Sequence, residues 1–322
     1  MKFSSFTLAA LVAIGAAQPA LAQTYPSGPI RVVLPYAPGG LTDVLARVLS
    51  QKMSENLGQP IVLANMPGAG STVGTAAVAQ ASPNGYTLLF AYSSGLTIGP
   101  GLYANPGYNP LTSFTPIGSV ARFFFYLIAN PSIPANNLRE LIAYAKLNPG
   151  KLTLGTPGIG STPHLIGEIL NAGQGIRITH VPYKGGGPLM VDLLAGRVNM
   201  AWDGISNYKS GVQSGKFKLL AVTSANRQAD FPAVQSVVEA GIPELEIFAW
   251  TALLAPAGTP REITSRLEDA LSKALATADV RNTYTSRGLE VFPGSPERVT
   301  KMMQAELPRW AAAIKASGAK AE

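Results

Sequence analysis

The residues of this chain best placed to do chemistry are backbone amides presented by glycine. The stretch "PYAPGGLTDVLARVLSQKM", residues 35–53, sets Gly39 and Gly40 between an apolar run and a helical pattern. A helix N-terminus carries unpaired N–H groups and a partial positive charge, so it attracts anions. Adjacent glycines let the backbone approach a ligand and take conformations closed to other residues. Thr42 or Asp43 could cap the helix, and Asp43 reads as a cap or ion-pair partner rather than a ligand contact. A second stretch, "GTPGIGSTPH" (155–164), repeats the device with Gly160, Ser161 and Thr162 before a helix. Ser93 and Ser94 close another apolar run and add hydroxyl donors if their loop lies beside 36–40.

Catalytic chemistry finds little to work with. There is no G-x-S-x-G elbow, no H-E-x-x-H and no P-loop. Two His and no Cys leave few ligands for a transition metal. Ser161 and His164 are three residues apart on one helix, but an activated serine also needs an orienting acid and an oxyanion hole. The "GAGSTVG" stretch (68–74) follows a strand and opens a helix, yet Gly74 falls one place late for a dinucleotide loop. It reads as a tight turn with close helix packing. His164 reads as a structural hydrogen-bonder at a helix start, and His180, in an apolar strand, as core-lining.

The elements that must position these loops alternate along the chain. "IRVVLPY" (30–36), "PIVLAN" (60–65) and "YTLLFA" (86–91) are short apolar strands separated by helical patterns, an α/β signature. In the first helix Leu41, Val44, Leu45, Val48, Leu49 and Met53 share a face. The rhythm restarts after residue 127 with helices and strands up to 217–224, then a long β segment over 246–256 and a mainly helical tail, in which Pro308 predicts a kink. Two such units without a Gly/Ser linker predict two lobes joined by β crossovers near 123–130 and 245–252. The first lobe is expected to take residues 23–126 plus 247–322, and the second 127–246. Each should hold a mostly parallel sheet flanked by helices, with a ligand cleft between them. If strands 30–35 and 86–91 are neighbours, loops 36–40 and 92–95 face each other at the carboxyl edge, where open α/β sheets bind ligands.

Composition narrows the setting. Lys2, the apolar run 8–17 and Ala20-Leu21-Ala22 have the pattern of a signal peptide over residues 1–22, with cleavage near Ala22. An exported chain with no Cys, no membrane anchor and no stretch long enough to span a bilayer fits the periplasm. Without Lys2 the formal charge falls from +7 to +6. The basic residues are scattered, which suits weak steering of anions and not nucleic acid binding.

The loops also match a family as an ordered set. "VVLPYAPGGLTDVLAR", "NMPGAGSTVG", "GTPGIGSTPHL", "HVPYKGGGP" and "LLAPAGTP" occur in this order. Across roughly 25–316 the chain resembles the substrate-binding receptors of tripartite tricarboxylate transporters, the Bug receptors. The resemblance implies a two-lobed, type II-like periplasmic binding protein of the α/β class. It would close on a small carboxylate and deliver it to membrane transporter subunits. No cofactor, metal or catalytic residue is implied, and the chain is expected to act as a monomer. One ligand carboxylate would sit on Tyr36, Ala37, Gly39 and Gly40, with Thr42 nearby. The second-lobe contacts would fall on Thr156, Gly160, Ser161 and His164, with Tyr183 and Lys184 close to the cleft.

The chain departs from the family where many relatives have Met-Phe-Asp and it reads Ala201-Trp202-Asp203. Trp202 offers a broad apolar face for a ring or carbon chain, or else fills the core. Phe123, Phe124 and Phe125 alternate faces if they lie in a strand, so one or two could line the cleft. Both features favour a dicarboxylate or aromatic carboxylate over a highly polar one such as citrate. Asp203 is a candidate for recognising a ligand amine, or a backbone hydrogen-bonder. Two other functions stay open at this point: an exported α/β hydrolase using Ser161 and His164, and a sensor subunit for a membrane kinase.

Overall fold

The computed structural model describes residues 25–320, so the leader lies outside the described residues. Eleven strands are described: β1 (Ile30–Leu34), β2 (Ile61–Asn65), β3 (Thr87–Tyr92), β4 (Phe114–Phe124), β5 (Tyr126–Ala129), β6 (Thr153–Thr156), β7 (Thr179–Pro182), β8 (Met200–Asp203), β9 (Lys218–Val222), β10 (Phe248–Pro256) and β11 (Glu290–Gly294). The helices are α1 (Leu41–Leu57), α2 (Thr72–Ala79), α3 (Ser93–Thr97), α4 (Gly99–Leu102), α5 (Leu138–Leu147), α6 (Thr162–Gln174), α7 (Gly186–Leu194), α8 (Lys209–Gln213), α9 (Arg261–Ala276), α10 (Ala278–Ser286) and α11 (Pro296–Ser317).

The strands form two sheets, one per lobe. The first has six strands in the order β11-β4-β10-β3-β1-β2, and the second five in the order β7-β6-β8-β5-β9. Both are mixed, which corrects the expectation of mostly parallel sheets. β1 is parallel to β2 and β3, and β6 is parallel to β7 and β8. The strands that enter or leave a lobe run antiparallel to their neighbours: β10 against β3 and β4, and β5 against β8 and β9. A chain that crosses between lobes and returns must reverse, and the reversal is built into these strands.

Helices cover both faces of each sheet. In the first lobe Leu45, Leu49 and Met53 of α1 pack with Leu267 and Leu271 of α9 on one face, and Val78, Val299 and Met303 cover the other. In the second lobe Leu165 and Ile166 of α6 lie on one face, and Leu189 and Leu193 of α7 on the other. The face α1 buries is narrower than the sequence pattern, and Leu41 is exposed. α11 runs as one helix through Pro308. Its Trp310, Ala313 and Ile314 join the core of the second lobe, so the terminal helix straddles both lobes.

The first crossing is short. β4 ends at Phe124 and β5 begins at Tyr126, so one residue passes from sheet to sheet. The return runs from Val222 to Phe248. Thr223 ties the two together: its N–H donates to Phe125 O at 2.9 Å, its Oγ1 accepts from Phe125 N at 2.9 Å, and its carbonyl accepts from Ile247 N.

Candidate functional site

β1 and β3 are hydrogen-bonded neighbours, so loops 36–40 and 92–95 meet at the carboxyl edge of the first sheet. The first loop is held by Asp43. Its carboxylate accepts from Gly39 N at 3.1 Å, from Arg47 Nε at 2.8 Å and from Asn65 Nδ2 at 3.1 Å, and Asn65 also donates to Tyr36 O. These donors hold the Asp43 carboxyl below its usual range, the Arg47 hydrogen bond first among them. Asp43 is therefore a brace for the loop and has no valence spare for a ligand. α1 itself starts on Gly40 in extended backbone, without a side-chain cap. Among the described residues the N–H groups of Leu41, Thr42 and Asp43 have no acceptor within the chain. Ala37, Gly39 and Gly40 are exposed, and Thr42 is half-buried.

Beside this loop, Ala69 (φ 42°) and Ser71 (φ 83°) occupy the left-handed region, the two non-glycine residues that do so among the described ones. Such strain persists where surrounding contacts enforce it, commonly at ligand sites. The Tyr36 hydroxyl and Ser71 Oγ are both buried without a well-formed hydrogen bond. They lie against Gly95, close to Ser94, and burial raises the Tyr36 pKa to about 12.

The second lobe answers from across a cleft of about 560 Å³. Gly70, Ser94, Ile98, Gly99, Leu102 and Tyr103 wall it on one side. Pro157 to Ser161 and Pro182 to Lys184 wall it on the other. Lys320 also lines it, and neither Lys184 nor Lys320 joins an ion pair among the described residues. Gly160 sits at φ 74° with Leu102 of the first lobe packed on its Cα, where a Cβ would collide. The glycine is required by both turn and contact. Of the expected residues the cleft thus gathers Ser94, Gly160, Ser161, Tyr183 and Lys184.

Other expected contacts have different roles. Ser93 is 5% exposed, and its Oγ accepts from Trp250 N at 3.4 Å. Thr156 is fully buried and shares a 2.6 Å hydrogen bond with His180 Nε2. His164 is 5% exposed, accepts from Gly160 N through Nδ1 at 3.1 Å and stacks on His180 with centroids 3.9 Å apart. Burial holds both imidazoles below their usual pKa, His180 at about 4. Thr156, His164 and His180 therefore support the 156–161 loop from beneath. Trp202 is also a correction: it is fully buried among Leu127, Leu165 and Met200, not in the cleft. Strand alternation sends Met200 and Trp202 to the α6 face and Ala201 to the other.

The same alternation divides the phenylalanines. Phe124 packs on Phe248 beneath the Arg122 guanidinium, while Phe123 meets Tyr92 at 6.1 Å and Phe125 at 5.2 Å. Tyr36 stands edge-on to Tyr92, so an aromatic row runs from the first glycine loop to the crossover. Gly70, the α3–α4 turns and Lys320 were not singled out from the sequence. The signal for Gly70 is its "PGAGS" loop, which leads into α2, where Gly74 packs closely against Met66 O.

The hydrolase alternative fails on geometry. Ser161 Oγ donates to Gly158 O at 2.7 Å and caps α6 by accepting from His164 N. The imidazole Nδ1 is occupied by Gly160, and its Nε2 faces Glu168 at 3.8 Å. No nucleophile–base hydrogen bond forms.

Comparison with known proteins agrees with this architecture. The model of the tripartite tricarboxylate transporter family receptor matches residues 45–319. BugT of Bordetella pertussis is 36% identical, over 95% of this chain and 94% of its own. An R. palustris protein solved with adipate is 33% identical with a TM-score of 0.78, covering 92% of this chain and 99% of that one. MatC of Rhodopseudomonas palustris, with bound malate, is 33% identical with a TM-score of 0.76, covering 90% and 100%. The two lobes, the facing glycine loops and the matching span together show that this chain belongs to the receptor family of the tripartite tricarboxylate transporters.

Proposed function

We propose that this receptor works in the periplasm, captures a dicarboxylate or aromatic carboxylate of moderate size between its lobes, and delivers it to tripartite transporter subunits in the membrane. The observation that carries the reading is the uncapped N-terminus of α1, three free amides at the sheet edge, with Lys184 and Lys320 in the adjoining cleft. Anions bind such helix ends, and two cations raise their local concentration. The cleft also supplies an apolar middle. With Trp202 in the core, that surface comes from Ile98, Leu102, Ile159 and the Tyr183 ring. Burying a carbon chain there contributes about 25 cal/mol per Å². Relatives solved with adipate and with malate support a diacid.

The test is calorimetric titration with adipate, terephthalate, malate and citrate. Adipate or terephthalate should bind most tightly. Tighter binding of malate or citrate would refute the apolar middle, and no binding of any of the four would refute the carboxylate reading.

A further inference from the structure

Asp203 ends β8, beside the β6 end that leads into the Gly158–Ser161 loop. It is half-buried and belongs to neither α1's anion site nor the structural ion pairs. Oδ1 accepts from Gly204 N at 2.7 Å. Oδ2 lies near Gly186 in the first turn of α7. The titratable groups facing the carboxylate are Tyr92 of β3, from the opposite lobe, and Tyr208, which follows the Ile205–Asn207 turn. Tyr126 is its register partner in β5. Tyr208 is buried, and its hydroxyl has no well-formed hydrogen bond although it adjoins the carboxylate. Among the described residues no Lys, Arg or His pairs with Asp203. The site thus holds one carboxylate without a counter-charge, between two tyrosines and the ring of Phe123 at Gly204.

A dicarboxylate that extends from the Pro157–Ser161 and Pro182–Lys184 wall of the cleft toward the end of β8 would face a like charge in a medium of low polarity. Like charges so placed do not both stay ionised. We propose that capture of a dicarboxylate is coupled to uptake of one proton by Asp203, which then meets the ligand as a neutral acid. The proton comes from water, adds to Oδ2, and is donated in a hydrogen bond to a ligand oxygen. No bond breaks in the ligand, and the complex carries one charge fewer than its separate parts. The geometry is supported by desolvation, which already lifts the Asp203 pKa to about 6 in the free protein. This inference rests on the carboxylate-receptor reading.

The experiment is calorimetric titration of adipate at pH 5, 6, 7 and 8 in buffers of different ionisation enthalpy, on wild type and Asp203→Asn. Wild type should take up close to one proton per adipate at pH 7 and little at pH 5, and should lose about tenfold in affinity per pH unit above 6. Asp203→Asn should bind with no uptake and with flat pH dependence. Adipate binding to wild type without proton uptake would overturn the proposal and leave the carboxylate reading intact, even if the variant did not fold. Tighter binding of aminoadipate without uptake would overturn it in favour of a ligand ammonium. Failure of wild type to bind adipate, terephthalate, malate and citrate alike would overturn the reading itself, and the proposal with it.

Discussion

Gly40 is the position where stability and binding separate most cleanly. Its backbone is extended, at φ −73° and ψ 172°, which any residue adopts. A Cβ there would have Ala37 O as its nearest neighbour, at 3.7 Å, an ordinary contact. Gly40→Ala should therefore not strain the fold. It should raise stability by about 0.4–1 kcal/mol, because alanine has fewer unfolded conformations to lose. The methyl would nonetheless stand beside the free amides of α1. Losing one charge-assisted hydrogen bond costs about 1.5–3 kcal/mol, or about 10- to 150-fold in affinity. Calorimetric titration with adipate and a thermal melt of the same sample read the two effects separately. Gly39→Ala is the contrasting control: it has open space but φ 80°, so it should cost about 1–2 kcal/mol of stability through backbone strain. Unchanged affinity in Gly40→Ala with a normal melt would refute the claim that the ligand approaches α1's first turn.

Other outcomes follow from the packing and the titrating groups. Trp202→Ala should cost about 3–5 kcal/mol of stability, measured by denaturant unfolding, because it empties a fully buried site; a loss below 1 kcal/mol would show that the ring is not core. Gly160→Ala should weaken the contact with Leu102 and populate a more open form, visible as a larger radius of gyration in small-angle scattering. His180 and Asp203 should have opposite effects on acid stability. His180, with a folded pKa of about 4, stays neutral in the fold while the unfolded chain takes up a proton, so stability is lost as pH falls from 6.5 to 4. Asp203, raised to about 6, takes up its proton earlier in the fold than in the unfolded chain, so stability is gained as pH falls from 6 to 3.8. Each slope is at most about 1.4 kcal/mol per pH unit, so the two nearly cancel. Asp203→Asn should expose the acid lability of His180, and melts at pH 4, 5 and 6 that stay parallel to wild type would contradict this.

What the sequence made legible was local: β1, β2 and β3 by apolar runs, the start of α6 by Ser161, and the glycine loops by their spacing. The ordered motifs also sufficed to reach the family. The roles within the site were less legible, because they depend on which face a residue takes after folding. Thr156 and His164 sit in the right loop but point beneath it, into a hydrogen-bonded layer with His180. Trp202 and Asp203 are adjacent in sequence, yet one enters the core while the other stays half-buried at the end of β8. The contribution of Gly70 and Leu102 arises only once two lobes meet. The β4 and β11 strands were missed because their pairing is set by the chain's return through β10, which no local pattern records.

The crossover at Phe125 and Thr223 has a mechanical meaning. Two passages pinned to each other by two hydrogen bonds between Phe125 and Thr223 should act as a door hinge with a single axle: sliding and twisting are resisted, and swinging remains. On the proposed reading, the length of a ligand held between the lobes would be converted into one angle. A membrane partner that touches both rims needs no contact with the cargo to measure it, since the distance between the rims already reports its size.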